Sequence, residues 1–235
     1  MIRSMDTFTK NFQLLQKRQE NTSSNLANSQ TTGYKSQRLF QKTLDEVALH
    51  NYQAGPEVNR RNEIGNFTFG NELAGTSLNT QRGALEETNR ATDFAATADS
   101  YFTVRLPDGQ NAYTRNGHFG VNAQNQLVTQ EGYLVLGANN QGIDATQNNP
   151  MFQLTSFEQA QDMNNLGNGY YTSDAAGTVV ANASVRKGYL ETSNVIVADE
   201  MVDLIQTARE FEANQKALST INQTLQKATN EIGRA

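Results

Sequence analysis

The sequence has no cysteine, no tryptophan, three prolines and two histidines. Without cysteine there are no disulfides and no thiolate metal sites, and the redox compartment stays open. His50 and His118 each stand without a second histidine nearby. Glu46, four residues before His50, makes only half of a metal motif, so no metal is expected. No apolar run approaches the roughly 18–20 residues that span a bilayer. The N-terminus, MIRSMDTFTKNFQLLQKRQ, has no continuous apolar segment of signal-peptide length, and a cleaved secretory signal is not expected. Either the chain stays in the cytosol or it leaves by a route that reads something else.

Basic clusters are missing too. Residues 1–70 carry nine Lys/Arg and six Asp/Glu (+3), and the remainder carries ten and eighteen (−8). No patch offers a phosphate-backbone footprint, so nucleic acid is not an expected partner. No G-x-S-x-G, Walker loop or G-x-G-x-x-G occurs, which leaves a nucleophile elbow and a phosphate cradle without support. Adjacent carboxylates such as Glu86-Glu87 and Asp199-Glu200 read as solvated faces rather than acid/base pairs. The expectation is a non-enzyme with no catalytic residue, no cofactor and no small-molecule substrate.

What the chain does have is two heptad seams, one at each end. Met1, Met5, Phe8, Phe12, Leu15, Gln19, Thr22 and Leu26 step alternately by four and three, with apolar side chains at six of eight positions. From Val197 the series Met201, Leu204, Ala208, Phe211, Gln215, Leu218, Asn222, Leu225, Thr229 and Ile232 keeps the same spacing. Asp199, Glu200 and Asp203 in its first turns and Lys227 and Arg234 near its end suit a helix dipole. Each seam is too narrow to build a core alone. Two helices of an ordinary bundle explain the stripes as well, but the polar positions Gln215, Asn222 and Thr229 favour a helix that selects register in an assembly.

Between the seams the period becomes two. YFTVRL (101–106), NAYTR (111–115), HFGVN (118–122), QLVTQ (126–130) and GYLVLG (132–137) read as short strands. Asp108-Gly109 and Asn116-Gly117 are turn pairs that supply the positive φ angles of tight hairpins. MFQL (151–154), GYYTS (169–173), GTVVAN (177–182) and SVRKGYL (184–190) add further strands, while residues 41–75, with Gly55-Pro56, read as an extended connection. The expected fold is α+β. Discontinuous terminal helices form one coiled-coil unit, with a mainly antiparallel β domain inserted between them. Its parts are residues 1–40 (helix and Asn/Thr/Gly-rich segment), 41–75 (linker), 76–190 (β domain) and 191–235 (heptad helix, pairing with the first).

Three blocks carry a resemblance to a family. Ser24-Asn25-Leu26-Ala27-Asn28 leads into Thr31-Thr32-Gly33-Tyr34-Lys35. In the centre stand Tyr101-Phe102-Thr103-Val104, Leu106-Pro107-Asp108-Gly109, Tyr113-Thr114-Arg115-Asn116-Gly117 and Leu127-Val128 through Glu131-Gly132-Tyr133. Near the end come Gly188 through Val195, Glu200-Met201-Val202 and Phe211 through Lys216. In this order the blocks resemble the flagellar basal-body rod and hook family, the axial proteins of the bacterial flagellum. Length and the opening Met1-Ile2-Arg3-Ser4 look most like its rod members.

The resemblance implies a structural subunit of the flagellar basal-body rod, with no catalysis. Copies would assemble with themselves and with other rod and hook axial proteins into a helical tube that transmits torque for motility. The same resemblance implies passage through the flagellar type III export apparatus without a cleaved signal. The residues expected at the assembly interface are Met5, Phe8, Phe12, Leu15, Asn25, Leu26, Asn28, Thr32, Gly33, Lys35, Asn194, Met201, Leu204, Phe211, Leu218 and Leu225. Within the Asn/Thr/Gly segment, Asx- and ST-turns would satisfy backbone groups while the side chains pair with neighbouring subunits. Because Ile196 stands where the family often has Asn or Asp, Asn194 or Ser193 is the expected N-cap of the last helix. Rival readings are a hook-type axial protein, a secreted monomeric β-domain binding module, and an enzyme with an unrecognised site in a deep pocket of the β domain.

Overall fold

The computed structural model describes the chain except residues 1, 44–45, 53–60, 69–70, 148, 158–162, 174, 176, 181–183 and 233–235. For residues 2–6, 46–52, 61–68, 71 and 231–232 it describes the backbone alone. The chain order is α1 (Ile2–Ala27), β1 (Gln37–Thr43), β2 (Glu46–Tyr52), β3 (Arg61–Thr68), β4 (Asn71–Leu78), β5 (Leu85–Glu87) and β6 (Phe94–Ala96). It continues with β7 (Tyr101–Arg105), β8 (Asn111–Thr114), β9 (Gly120–Val121), β10 (Leu127–Val128), β11 (Leu134–Val135), β12 (Leu154–Ser156) and β13 (Met163–Gly167). Last come β14 (Tyr170–Ser173), β15 (Thr178–Val179), β16 (Val185–Lys187), β17 (Tyr189–Glu191) and α2 (Val197–Ile232). The fold is α+β, with mainly antiparallel strands between two terminal helices.

Two compact units emerge. One comprises Met1–Ser23, Leu39–Gly75 and Met201–Ala235, and the other Ser24–Arg38 and Thr76–Glu200. The Asn/Thr/Gly-rich segment therefore belongs with the strands, not with the helix that precedes it. Residues 41–75 are also more than a connection: β2 pairs antiparallel with β3 from Glu46↔Thr68 to Tyr52↔Arg61, and β1 pairs with β4. Their sequences alternate weakly, and a register shift between Leu49 and His50 breaks the period further.

In the first unit, Arg18 Nη1 donates to Glu210 Oε2 at 2.8 Å, and Phe12 meets Phe211 edge to face at 4.9 Å. Leu14 and Leu15 of α1 are buried. On α2 the covered face runs through Leu204, Thr207, Phe211, Asn214, Leu218, Ile221 and Leu225. Half of the expected seam is therefore displaced, because Gln215, Asn222 and Thr229 are exposed. Leucine and phenylalanine every seven residues fix one edge of a helical stripe, and either the residue three on or four on can complete it. Here the +3 set does. On α1, Gln19 is likewise exposed while Phe8 is half-buried and Thr22 buried.

The second unit holds the core. Its large sheet runs β13-β14-β8-β7-β11-β10-β9, with β12 joining β7 to β15. In β7 both faces are covered, so Tyr101 through Val104 are all buried. Phe102 and Val104 enter a cluster with Phe94, Phe119, Leu127, Val135, Phe152 and Leu154. Phe102 meets Phe119 and Phe152 at 5.3 and 5.1 Å. Tyr101 faces the other way, packing with Leu78, Met163 and Tyr171. Gly109, Asn125 and Gly132 take φ of 83°, 62° and 88°, as tight turns require. Gly117 does not: its backbone passes so close to the Phe94 carbonyl that any Cβ would overlap it. That glycine serves close approach, not a left-handed turn.

Buried phenols give this unit a pH dependence. Burial raises Tyr101 from 10.0 to about 12, and burial likewise pushes Tyr170 and Tyr171 up. Unfolded tyrosines ionise near 10, so the stability these groups contribute is intact below pH 10 and is lost between there and about 12. For Tyr101 alone that is on the order of 2 kcal/mol. Lys35 runs the other way, since burial holds it below 10.5, but one lysine opposes five tyrosines, because burial also raises Tyr34 and Tyr113. The denaturant midpoint is expected to fall steeply above pH 10 in a urea titration. A midpoint that stays flat to pH 12 would contradict the burial assigned to these rings.

Candidate functional site

The site is the place where residues 24–38 enter the β unit. α1 ends at Ala27, and Asn28 holds the Ser24 carbonyl twice, its backbone N–H donating at 3.1 Å and its Nδ2 at 2.8 Å. Thr31 Oγ1 then donates to Asn28 Oδ1 at 3.2 Å. Gly33, at φ +69°, reverses the chain. Its N–H donates to the Glu191 carbonyl at 2.7 Å, and a Cβ there would overlap the Arg115 backbone. Thr32 Oγ1 donates to Asn116 Oδ1 at 2.8 Å.

Asn25 is 2% exposed and all four of its hydrogen-bonding sites are used. Nδ2 donates to the Gln37 carbonyl at 3.0 Å and to Glu200 Oε1 at 2.9 Å. Oδ1 accepts from Gln37 N at 3.0 Å and from Tyr34 Oη at 3.2 Å. The amide grips Gln37 at both its N–H and its C=O, as a neighbouring strand would. Asn194 does similar work: Oδ1 accepts from Ser36 N at 2.7 Å, while Nδ2 donates to the carbonyls of Asn79 and Gln81 at 2.9 and 2.8 Å. Asn194 is therefore not the N-cap of α2. Glu200 N instead bonds the Ile196 carbonyl at 3.1 Å, which puts the apolar, exposed Ile196 at the cap position. Ser193 Oγ accepts from Val195 N at 3.3 Å, a local turn two residues earlier.

Beneath these amides lies a charged cluster. Lys35 is fully buried, and its Nζ donates to Glu191 Oε1 and to the Gln81 carbonyl, both at 2.6 Å. Glu191 Oε1 also accepts from Gly83 N at 3.0 Å. Arg115 Nη1 approaches Glu191 Oε2 at 3.5 Å, an ionic contact without a hydrogen bond, and donates to the Ala98 carbonyl at 2.8 Å. Arg115 also lies over the Tyr101 ring at 5.4 Å. Burial lowers the Lys35 ammonium, and Glu191 partly restores it. Two buried cations thus share one buried carboxylate.

Of the expected interface residues, this site gathers Asn25, Asn28, Thr32, Gly33, Lys35 and Asn194, with Leu26 half-buried beside them. Their polar side chains make contacts within the chain. Phe8, Phe12, Leu15, Leu204, Phe211, Leu218 and Leu225 belong to the helical unit, and none of these is fully exposed. Met201 is 50% exposed, and the side chain of Met5 lies outside the described residues. Sequence reasoning missed Glu191 and Arg115 as site residues, although both sit in the matched blocks.

Three family models match the chain. Residues 12–35 match "Flagella basal body rod protein", 95–181 match "Flagellar hook protein FlgE/F/G D1 domain", and 186–231 match "Flagellar basal body rod FlgEFG protein C-terminal". The site draws on all three, since Lys35, Arg115 and Glu191 fall one in each. The flagellar basal-body rod protein FlgG of Buchnera aphidicola subsp. Baizongia pistaciae is 30% identical, covering 86% of this chain and 89% of its own length. FlgG of Borreliella burgdorferi is 29% identical over 98% of both chains. FlgG of Buchnera aphidicola subsp. Acyrthosiphon pisum is 31% identical over 87% of this chain and 90% of its own.

Proposed function

The chain belongs to the flagellar basal-body rod protein family, and from that premise we propose that it is a building block of the rod. Copies assemble with one another and with other rod and hook axial proteins into a helical tube at the flagellar basal body, and the tube transmits torque. It reaches that place unfolded through the type III export apparatus, with no signal removed. The observation that carries the reading is the match of the rod-named family models and relatives along nearly the whole chain. The hook-type alternative is not favoured.

The interaction residues fall in two groups with different work. Asn25, Gly33, Lys35 and Asn194 hold the β unit's own shape. The faces of α1 and α2, with Phe8, Phe12, Leu204, Phe211, Leu218 and Leu225, pack within the tube.

Leu218→Asp tests this division. Leu218 lies on the half-covered face of α2, where an unpaired carboxylate buried by assembly costs several kcal/mol. Cells carrying it are expected to lose motility and rods, while the melting transition of the β unit, which contains no residue beyond Glu200, stays unchanged. Normal motility would remove this face from the assembly. Motility and intact rods in a strain lacking the whole gene would remove the rod reading itself.

A further inference from the structure

Early in α2, Met201, Val202 and Ile205 are 50, 61 and 53% exposed. Leu204, Thr207, Glu210 and Phe211 turn to the opposite side, where Glu210 and Phe211 meet α1. The outer stripe therefore cannot be covered by the chain's own first helix. Arg209 follows Val202 by seven residues and Glu212 follows Met201 by eleven, which sets both on that stripe. Neither forms an ion pair among the described residues. Three large apolar side chains flanked by a free cation and a free anion make a surface built for a partner.

The same unit carries a complementary hollow. Between α1 and β4 lies a groove of about 550 Å³, floored by Leu14 and Leu73 and rimmed by Lys10, Lys17, Glu20 and Glu72. It offers an apolar floor and both signs of charge on its walls.

Resting on the rod reading above, we propose that the Met201/Val202/Ile205 stripe of one copy seats in the Leu14/Leu73 groove of the next. Arg209 and Glu212 then join the charges already at the rim, where Lys17 pairs with Glu20 at 2.8 Å and Glu72 lies 3.9 Å from Lys42. Stripe and groove are different surfaces of one chain, so the contact is head-to-tail. Such a contact propagates along a filament wherever its rotation does not close a ring. Charge pairs at the rim set the orientation, and the apolar centre supplies most of the attraction.

The absence of cysteine makes the test free of background. Ile205→Cys and Gln13→Cys, the latter on the groove wall, are expressed together and singly in cells lacking the wild-type gene. Basal bodies are then treated with a mild oxidant. The expected result is a dimer-mass band when both variants are present and none when either is alone. Motile cells in which the mixed variants give no dimer would overturn the contact while leaving the rod reading intact. A dimer from one variant alone would also overturn it, because that requires a two-fold interface. If Gln13→Cys itself abolishes motility, Gln16→Cys in the same groove replaces it under the same criteria.

Discussion

Glu191→Leu is expected to destabilise the β unit by about 3–5 kcal/mol, the range for removing one partner of a buried ion pair. Lys35 would stay buried without a carboxylate and Arg115 with only the exposed Asp99 at 3.8 Å, and Gly83 N would lose its acceptor. For a unit of this size the melting temperature falls on the order of 10 °C. Glu191→Gln keeps an acceptor for Lys35 and Gly83 and costs less. Adding Lys35→Met to Glu191→Leu removes one of the stranded cations, so the double variant should be more stable than the sum of the two single losses allows. Thermal unfolding of the four variants reads this directly. Strict additivity would mean that Lys35 and Glu191 do not act as a pair, and a Glu191→Leu protein as stable as wild type would dismiss the cluster.

Two fragments should behave in opposite ways. Residues 24–200 contain every side chain of the site, and this fragment is expected to unfold in one cooperative transition. Residues 76–190, the boundaries that strand patterning alone draws, omit residues 24–38 and also Glu191. Arg115 then loses its buried carboxylate and keeps only the exposed Asp99 at 3.8 Å, and the amide grips of Asn25 and Asn194 are gone. The Tyr101 and Tyr171 side of the sheet loses the covering segment that includes Lys35. Losses of this number, each about 1–3 kcal/mol, exceed the stability of most domains. No cooperative transition is expected for 76–190 by calorimetry. If it melts within a few degrees of 24–200, the segment is an appendage and not part of the unit.

The contrast between these fragments shows what was legible beforehand. β7, β8 and β14 could be read from aromatic and β-branched alternation, and Gly109, Asn125 and Gly132 from turn chemistry. β13 could not: Met163-Asn164-Asn165-Leu166-Gly167 has no β-branched residue, and pairing with β14 decides its state. Asn25, Gly33 and Lys35 stood out within a short motif, but their partners lie far along the chain. Glu191 is 156 residues from Lys35, and no local period announces that a lysine and a glutamate will meet away from water. A charged residue in a sequence reads as surface until its partner is known. The seam on α2 was half legible for a related reason, since a heptad of leucine and phenylalanine leaves two stripes open and only packing chooses between them.

Asn25 also implies an order of events. Its grip on Gln37 spans 12 residues, whereas the clamp of Lys35 on Glu191 spans 156. Closing the longer loop costs about 2 kcal/mol more in chain entropy, and loops of about ten residues close within roughly 10–100 ns. The helix end and the strand that follows can therefore knot together while the rest of the chain is still searching. Lys35 is then already held in a turned segment when Glu191 arrives, so the charge is withdrawn from water only at the moment its counterion is at hand.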